Sequence, residues 1–375
     1  MNIAIIGCGF VADYYLAALP SHPQLRVIGV FDRLRERTEV FSKAYGVNGY
    51  GKLEELLTDD RIQLVLNLTN PRDHYTLSKA CLNSGKHVYS EKPLAMEMNE
   101  ARELVALART KQLLIASAPC SALGETAQTI WRALRNSAVG PVRLVYAEMD
   151  DGMVHRMRFR NWHSLSGMPW PYKDEFEVGC TLEHSGYFLT WLVTMFGPAV
   201  AVTTFSSVRI PDKAPGEPLN LESPDFTVAC IELKSGVVAR LTCSIVAPHD
   251  HSLRIIGDGG VIYTKEAWDY RSVVYRRRML TIRRKTFLSP FRTRLRLPAS
   301  PFRKLGSKRP HTMDFARGPA EMADAIREGR PCRISPELSL HVNELALAIH
   351  HAARDGCHYR MTTTFDPIEP MQWAV

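Results

Sequence analysis

The fold is decided by the stretch Asn2-Ile3-Ala4-Ile5-Ile6-Gly7-Cys8-Gly9-Phe10-Val11-Ala12. Its first five residues are mostly apolar and branched, which predicts a buried β-strand. The glycines that follow permit a tight turn, and the apolar residues beyond them begin a helix. A strand, a Gly-x-Gly-x-x-Ala loop and a helix in this order are typical of a dinucleotide-binding βαβ unit.

The loop is expected to hold the pyrophosphate of NAD at the amino terminus of the first helix. Gly9 would let the backbone approach the phosphates, and a small residue at position 12 would let the helix pack closely against the sheet. The cofactor-binding residues predicted in this loop are Gly7, Gly9, Phe10, Val11 and Ala12.

Asp32 ends the second apolar run, twenty residues after Ala12. A carboxylate there would accept hydrogen bonds from the adenosine ribose hydroxyls, which favours NAD over NADP. Arg33 and Arg37 lie beside it and would suit a 2′-phosphate, so Arg33 is also counted among the cofactor residues. The alternative is a plain strand-to-helix turn in which Asp32 only caps a helix.

Two domains follow from the order of the apolar runs. Over residues 1–120 they alternate with helix-like stretches, which predicts a Rossmann domain with a parallel sheet. Over residues 121–375 several alternating runs are joined by Gly-containing turns, which predicts an α+β domain with a predominantly antiparallel open sheet. We expect this second domain to bind substrate and, through its sheet, to form a homo-oligomer.

Composition limits the class of protein. The chain has 375 residues, 45% of them hydrophobic, and no run approaches the ~20 apolar residues of a membrane-spanning helix. The first residues lack a basic leader and a cleavage site, so we expect a cytoplasmic protein. The eight cysteines form no Cys-x-x-Cys pair, which argues against a zinc ribbon, and we predict no metal site.

A basic segment at 271–309 contains eleven Arg and three Lys with no acidic residue, whereas the whole chain has a net charge of +8. Three interpretations compete: a solvated loop, a contact with an anionic membrane, and a site for a nucleotide diphosphate or a lipid-linked phosphate sugar. The loop is favoured. No nucleic-acid-binding module accompanies the charge, so a nucleic-acid partner is not expected.

A second informative stretch is Ser90-Glu91-Lys92-Pro93, which follows the apolar run His87-Val88-Tyr89. Proline cannot continue a strand and restrains the residue before it. Lys92 is therefore expected at the carboxyl edge of a strand, where open α/β sheets bind their ligands.

The Gly-x-Gly-x-x-Ala loop, the Glu-Lys-Pro and the α+β second half together resemble the Gfo/Idh/MocA family of NAD(P)-dependent oxidoreductases. The resemblance extends over nearly the whole chain and includes residues 85–95 and 323–331. The basic segment lies outside it. The resemblance implies that Lys92 touches both substrate and nicotinamide. It also implies cofactor contacts for Glu91, Thr69, Asn70, Pro71 and His74.

The family's third motif is a helix with an Asp and, four residues later, a His that handles the substrate proton. Glu183 and Tyr187 stand at these positions here, and a spacing of four would place both on one face of an α-helix. We rank Lys92, Tyr187 and His184, in that order, as candidates for proton transfer. Glu183 would orient Lys92 or a sugar hydroxyl. The alternative for Tyr187 is a core aromatic on an apolar helix.

Removal of a hydroxyl proton needs a positioned base, and free Lys and Tyr have pKa values of ~10.4 and ~10. A neighbouring cation, such as oxidised nicotinamide, would lower either pKa toward neutrality.

Residues 148–172 combine carboxylates, an amide and indole rings, which suits a polyhydroxylated ligand. The substrate residues predicted are Asp151, Arg160, Trp162, Lys92, Glu183 and Tyr187. For any one of them, an ordinary place at a rim or in a packed cluster is the alternative.

We therefore predict an NAD-dependent oxidoreductase that acts on a hydroxyl or keto carbon of a sugar, a nucleotide sugar or a related polyol. Two alternatives stay open. One is redox-neutral glycoside cleavage with tightly held NAD. The other is a non-catalytic dinucleotide-binding protein that uses the basic segment as an interaction surface.

Overall fold

The structure is a computed structural model, and it describes residues 1–298, 312–355 and 358–375. The strands, in chain order, are β1 (Asn2–Ile6), β2 (Arg26–Phe31), β3 (Leu64–Asn67), β4 (His87–Ser90), β5 (Ile115–Ser117), β6 (Val142–Asp150), β7 (Ala199–Ser207), β8 (Phe226–Leu233), β9 (Val238–Ser244), β10 (Leu253–Gly257), β11 (Gly260–Thr264), β12 (Val274–Ile282), β13 (Lys285–Leu288), β14 (Thr293–Leu295) and β15 (His358–Arg360). The helices are α1 (Phe10–Ala18), α2 (Arg35–Tyr45), α3 (Leu53–Leu57), α4 (His74–Asn83), α5 (Met98–Thr110), α6 (Glu125–Arg135), α7 (Tyr172–Val178), α8 (Gly186–Phe196), α9 (Arg317–Glu328) and α10 (Pro336–Asp355).

The chain divides into two compact units. Unit 1 consists of Met1–Cys120, Arg158–Val178 and Gly306–Leu347. Unit 2 consists of Ser121–Met157, Gly179–Leu305 and Ala348–Val375. Unit 1 therefore includes two segments that come after residue 120 in the sequence.

The sheet of unit 1 has five parallel strands in the order β2-β1-β3-β4-β5. Its strands are apolar on both faces because helices cover both sides of a parallel sheet. Ala4, Val65 and Val88 on the strands share one buried cluster with Leu82 of α4 and Leu104 of α5. The predicted Rossmann architecture is confirmed.

Polar contacts explain why the later segments join unit 1. Both the amide and the hydroxyl of Ser166 donate to Asp13 Oδ2, at 3.0 and 2.7 Å. His22 Nε2 lies 2.9 Å from Asp314 Oδ2, and both side chains are buried. These contacts join residues that are about 150 to 290 positions apart in the chain, so a boundary read from local patterns alone misses them.

Unit 2 is built on a ten-stranded sheet in the order β13-β12-β11-β10-β6-β9-β8-β7-β15, with β14 paired to β12. Only β6 and β9 are parallel among these pairs, so the predicted, predominantly antiparallel sheet is confirmed. The described part of the basic segment is not the solvated loop that the sequence analysis favoured. Between Val274 and Leu295 it forms β12, β13 and β14 at one end of the sheet, and residues 299–309 of that segment lie outside the described residues.

Within the described ranges, no helix has both the length and the apolar composition needed to cross a bilayer. Seven cysteines there carry free thiols, and all but Cys230 are buried.

Candidate functional site

The loop after β1 has the geometry that a pyrophosphate requires. Gly7 has a φ of +97°, and a Cβ there would lie 2.6 Å from the Leu68 carbonyl oxygen, so only glycine fits. A Cβ on Gly9 would meet nothing within 4 Å, so the backbone at the start of α1 faces open space. Ala12 is fully buried, as close helix packing requires. The loop therefore fits the diphosphate of a dinucleotide.

Asp32 is held at the end of β2 by two backbone amides. Its Oδ2 accepts a hydrogen bond from Cys8 N at 2.9 Å, and its Oδ1 accepts one from Leu34 N at 2.8 Å. Arg33 is exposed, and its Nη1 lies 3.9 Å from Asp73 Oδ2. The carboxylate is thus fixed beside the glycine loop.

Four predicted cofactor residues line up along one edge of this sheet. Asp32 follows β2, Gly7 follows β1, Thr69 lies two residues after β3 and Lys92 lies two residues after β4. Since these strands are neighbours in the order β2-β1-β3-β4, the row spans three steps of ~4.8 Å, or about 14 Å. The structure therefore brings these four predicted cofactor residues to one edge of the sheet.

His74 joins the loops that carry Thr69 and Lys92. Its Nδ1 lies 2.7 Å from the Pro93 carbonyl oxygen and its Nε2 lies 3.0 Å from the Thr69 carbonyl oxygen. Burial lowers the pKa of this imidazole, although both carbonyls oppose that shift. The ring is fully buried, and its two contacts connect the loop of Thr69 to that of Lys92.

Glu91 fixes the backbone next to Lys92. Its Oε1 accepts a hydrogen bond from the Tyr15 hydroxyl at 2.7 Å, and its Oε2 accepts one from Lys92 N at 3.1 Å. Glu91 N donates to the Asn67 carbonyl oxygen at 2.8 Å. Burial, followed by the Glu91 charge, raises the pKa of Tyr15 well above its ordinary value, so Tyr15 stays a donor. The peptide bond between Lys92 and Pro93 is cis.

The other predicted residues of unit 1 fall into two groups. Asn70 Nδ2 donates to Asp174 Oδ2 at 2.9 Å, and Pro71 begins the 3₁₀ turn after it. Arg160 and Trp162 lie in an aromatic cluster. The Arg160 guanidinium is 5.1 Å from the Phe159 ring centroid, and the indole of Trp162 is 4.9 Å from that of Trp170. Stacking of this kind is a structural role that these two side chains already have.

In unit 2 the Glu183 to Tyr187 stretch is not a plain α-helix. Thr181–Ser185 forms a π-helical turn, and α8 begins only at Gly186. Glu183 therefore lies in the π-turn and Tyr187 in α8, so the stretch between them is not a regular α-helical turn. His184 and Tyr187 lie against the same indole, that of Trp268, at centroid distances of 5.9 and 5.1 Å. Such turns are frequent at functional sites.

Asp151 lies close to this helix within unit 2. Its Oδ2 is 3.6 Å from His184 Nε2, and its Oδ1 is 3.4 Å from His251 Nε2. Burial raises the pKa of Asp151, but the neighbouring His184 and His251 outweigh it and hold that pKa below its usual value. The structure thus brings together Asp151, His184 and Tyr187 through Trp268 and short polar contacts.

Sequence reasoning missed His249, His251 and Glu266. Glu266 Oε1 is 3.0 Å from His251 Nδ1, and Glu266 Oε2 is 2.9 Å from His249 Nε2. Burial lowers the pKa of His251, but its contacts with Asp151 and Glu266 raise it to about 9. The His-x-His pair just before a strand could have indicated this cluster, because side chains two residues apart in an extended chain lie on the same face.

Comparison with known families agrees with this architecture. Residues 1–118 match the model of an oxidoreductase family with an NAD-binding Rossmann fold, and residues 127–263 match the GFO/IDH/MocA C-terminal domain.

Individual proteins give the same result. An uncharacterized oxidoreductase of Synechocystis is 27% identical over 270 residues, covering 69% of this chain and 70% of its own. The trans-1,2-dihydrobenzene-1,2-diol dehydrogenase of Mus musculus is 24% identical over 269 residues, 70% of this chain and 74% of that protein. The WlbA dehydrogenase of Bordetella pertussis, solved with NADH and UDP-GlcNAcA, superposes with a TM-score of 0.72 at 15% identity and covers 98% of both chains. Together with the two family models, which span most of the sequence, these likenesses establish that the chain is an NAD(P)-dependent oxidoreductase of the Gfo/Idh/MocA family.

Proposed function

We propose that this enzyme transfers a hydride between nicotinamide and a hydroxyl or keto carbon of a sugar, with NAD preferred over NADP and a nucleotide sugar as the substrate class. The observation that carries the proposal is the row Asp32, Gly7, Thr69 and Lys92 along one edge of the parallel sheet. A dinucleotide bound along this row with its adenosine ribose at Asp32 would have its nicotinamide near Lys92, which supports the proposal. The sugar class is supported by relatives such as the WlbA dehydrogenase, which was solved with UDP-GlcNAcA.

The chemistry divides between cofactor and protein. Bound NAD supplies the hydride acceptor. Lys92 moves the hydroxyl proton, and its main-chain amide is held in place by the buried Glu91. Tyr187 is the second candidate for transferring this proton and His184 is the third. Glu183 orients Lys92 or a sugar hydroxyl. All three lie on or beside the π-turn and are buried.

On the substrate side we propose contacts for Asp151, Arg160 and Trp162 in addition to the catalytic residues. Asp151 is only partly buried and keeps its carboxylate charged, because nearby histidines lower its pKa. A charged carboxylate is a good acceptor for sugar hydroxyls. Arg160 is exposed and would suit a carboxylate or phosphate, and Trp162 offers a ring face for stacking.

The direct test is a product assay with the full-length enzyme, NAD and a panel of nucleotide sugars and free sugars. We expect stoichiometric NADH with a ketosugar product for at least one nucleotide sugar. Release of an aglycone without net NADH would favour redox-neutral glycoside cleavage instead. NAD binding with neither product on the whole panel would favour the non-catalytic alternative.

A homo-oligomer through the sheet of unit 2 is part of the proposal. The outward face of β7 exposes Val200 and Phe205, and the Phe205 ring contacts that of Phe226. Apolar side chains on one open sheet face are typical of a protein interface. Light scattering should show more than one copy per particle for the native chain and a smaller particle for Phe205→Glu. An unchanged mass would refute this interface.

A peripheral contact with anionic membranes is proposed for the hairpin of β12 and β13. Its tip is Arg283-Arg284-Lys285, and the flanking Ile282 and Phe287 are 59% and 41% exposed. Basic residues near apolar side chains suit anionic headgroups. Arg283→Ser/Arg284→Ser/Lys285→Ser should abolish co-sedimentation with phosphatidylserine vesicles. The control Arg35→Ser/Lys43→Ser/Lys111→Ser removes three exposed charges from unit 1 and should not. Equal recovery of both variants would refute the contact.

A further inference from the structure

Two strand ends of unit 2 bring Asp151, His249 and His251 together. Asp151 directly follows β6, and His251 and His249 lie two and four residues before β10. Because β10 is antiparallel to β6, the end of one strand lies beside the start of the other. His249 and His251 are two residues apart in extended chain, so their rings lie on one side, with centroids 4.0 Å apart.

The distance between Asp151 and His251 fits two ligands of one metal ion better than a hydrogen bond. His251 is fully buried, and its Nε2 has no hydrogen-bond partner among the residues that the structure describes. Asp151 Oδ1 lies 3.4 Å from that nitrogen, beyond the ~2.7–3.2 Å of an N–H···O bond. Two ligand atoms at ~2.0–2.1 Å from a tetrahedral Zn²⁺ are about 3.4 Å apart. One ligand atom each from Asp151, His249 and His251 lies within 4.8 Å of the others.

Glu266 holds both imidazoles in the orientation that a metal requires. Its two oxygens lie 3.0 Å from His251 Nδ1 and 2.9 Å from His249 Nε2. Protons on those nitrogens leave the other nitrogen of each ring with its lone pair available. Glu266 is itself fixed, because its Oε1 accepts a hydrogen bond from Trp268 N at 2.9 Å. A carboxylate that orients metal-binding histidines in this way is common in metal sites.

We propose that Asp151, His249 and His251 bind one divalent transition-metal ion of the Zn²⁺ type, and that Glu266 orients the two histidines. Two imidazoles and one carboxylate suit Zn²⁺ and its neighbours better than Mg²⁺ or Ca²⁺, which prefer oxygen ligands. Three protein ligands leave a coordination position for an oxygen of water or of a substrate hydroxyl. The expectation of no metal site rested on the absence of paired cysteines, which says nothing about a His-x-His and carboxylate set.

The metal-free alternative is a protonated His251 that bridges the carboxylates of Asp151 and Glu266. Both arrangements keep the same residues together, so only metal binding separates them. His249 is the useful position for a variant because its side chain is 53% exposed, and its removal should leave the fold intact. His358 offers a matched control, since it is an exposed histidine of the same sheet, on β15, five strands away from β10.

The test uses the full-length protein without a histidine tag, after treatment with a chelator. Calorimetric titration with Zn²⁺ should give about one equivalent per chain, and Co²⁺ should give visible absorption bands of a site with nitrogen ligands. We expect His249→Ala and Glu266→Gln to weaken Zn²⁺ binding at least ~10-fold. His358→Ala should bind as the native chain does. Absence of stoichiometric binding by the native protein, or equal affinity in His249→Ala, would overturn the proposal in favour of the protonated bridge.

Discussion

The hydroxyl of Tyr15 donates a hydrogen bond to Glu91 Oε1 at 2.7 Å in the interior of unit 1. Tyr15 is carried by α1, the helix that begins at the glycine loop, and Glu91 directly precedes Lys92. One buried contact therefore ties the proposed pyrophosphate loop to the proposed catalytic residue. We therefore expect the loop and Lys92 to keep a fixed position relative to each other.

Tyr15→Phe should destabilise the protein, because it leaves Glu91 Oε1 buried without this donor. The expected loss in the free energy of unfolding is about 1–3 kcal/mol, measured by urea denaturation. Tyr75→Phe is the matched control, since the Tyr75 hydroxyl contacts Glu103 at the surface and its loss should cost less than about 1 kcal/mol. Equal losses in the two variants would contradict the role given to the buried pair.

Asp32→Asn should weaken the preference for NAD over NADP. The amide oxygen can accept from only one of the Cys8 and Leu34 amides, so the variant loses the negative charge and one of the two hydrogen bonds to the loop. A carboxylate accepts from the ribose diol and repels a 2′-phosphate, so the variant should bind NAD less tightly and NADP no worse. Fluorescence titration with both cofactors measures this. An unchanged ratio of the two dissociation constants would remove Asp32 from the ribose site.

His74 should make stability depend on pH. Burial lowers its pKa below the ordinary 6.5, so the unfolded chain binds a proton that the folded chain does not as the pH falls through that value. The free energy of unfolding should therefore decrease on going from about pH 7.5 to 5.5. His74→Gln should show a smaller decrease than the native chain, and the exposed control His358→Gln the same decrease. A native profile that matches that of His74→Gln would contradict this assignment.

Much of unit 1 is predictable because its strands are short apolar runs that alternate with helical periods. The predicted strand Asn2 to Ile6 agrees with β1 residue for residue. The strands of the basic segment are less predictable. In β12 and β13 only Val274 is buried and there is no continuous buried face, so no alternation of apolar and polar residues marks them.

Contacts between distant parts of the chain account for the rest. Asp151 and His251 are one hundred positions apart, and only the antiparallel pairing of β6 and β10 brings them together. The spacing of Glu183 and Tyr187 in the sequence likewise does not indicate the π-turn at Thr181–Ser185. The Gly7 to Ala12 loop was recognisable for the opposite reason, since its chemistry lies within a few consecutive residues.

The central claim is that Lys92 transfers the substrate proton, and the most direct measurement compares Lys92→Ala with the native enzyme. Turnover of the sugar substrate should fall about 10²–10⁴-fold, as expected for loss of a general acid–base group. NAD affinity, measured by fluorescence titration, should stay within about threefold, because the contacts of Gly7, Gly9 and Asp32 are untouched. Two results would contradict the account: turnover of the sugar by the Lys92→Ala variant at the native rate, or a loss of activity that is explained by lost NAD binding alone.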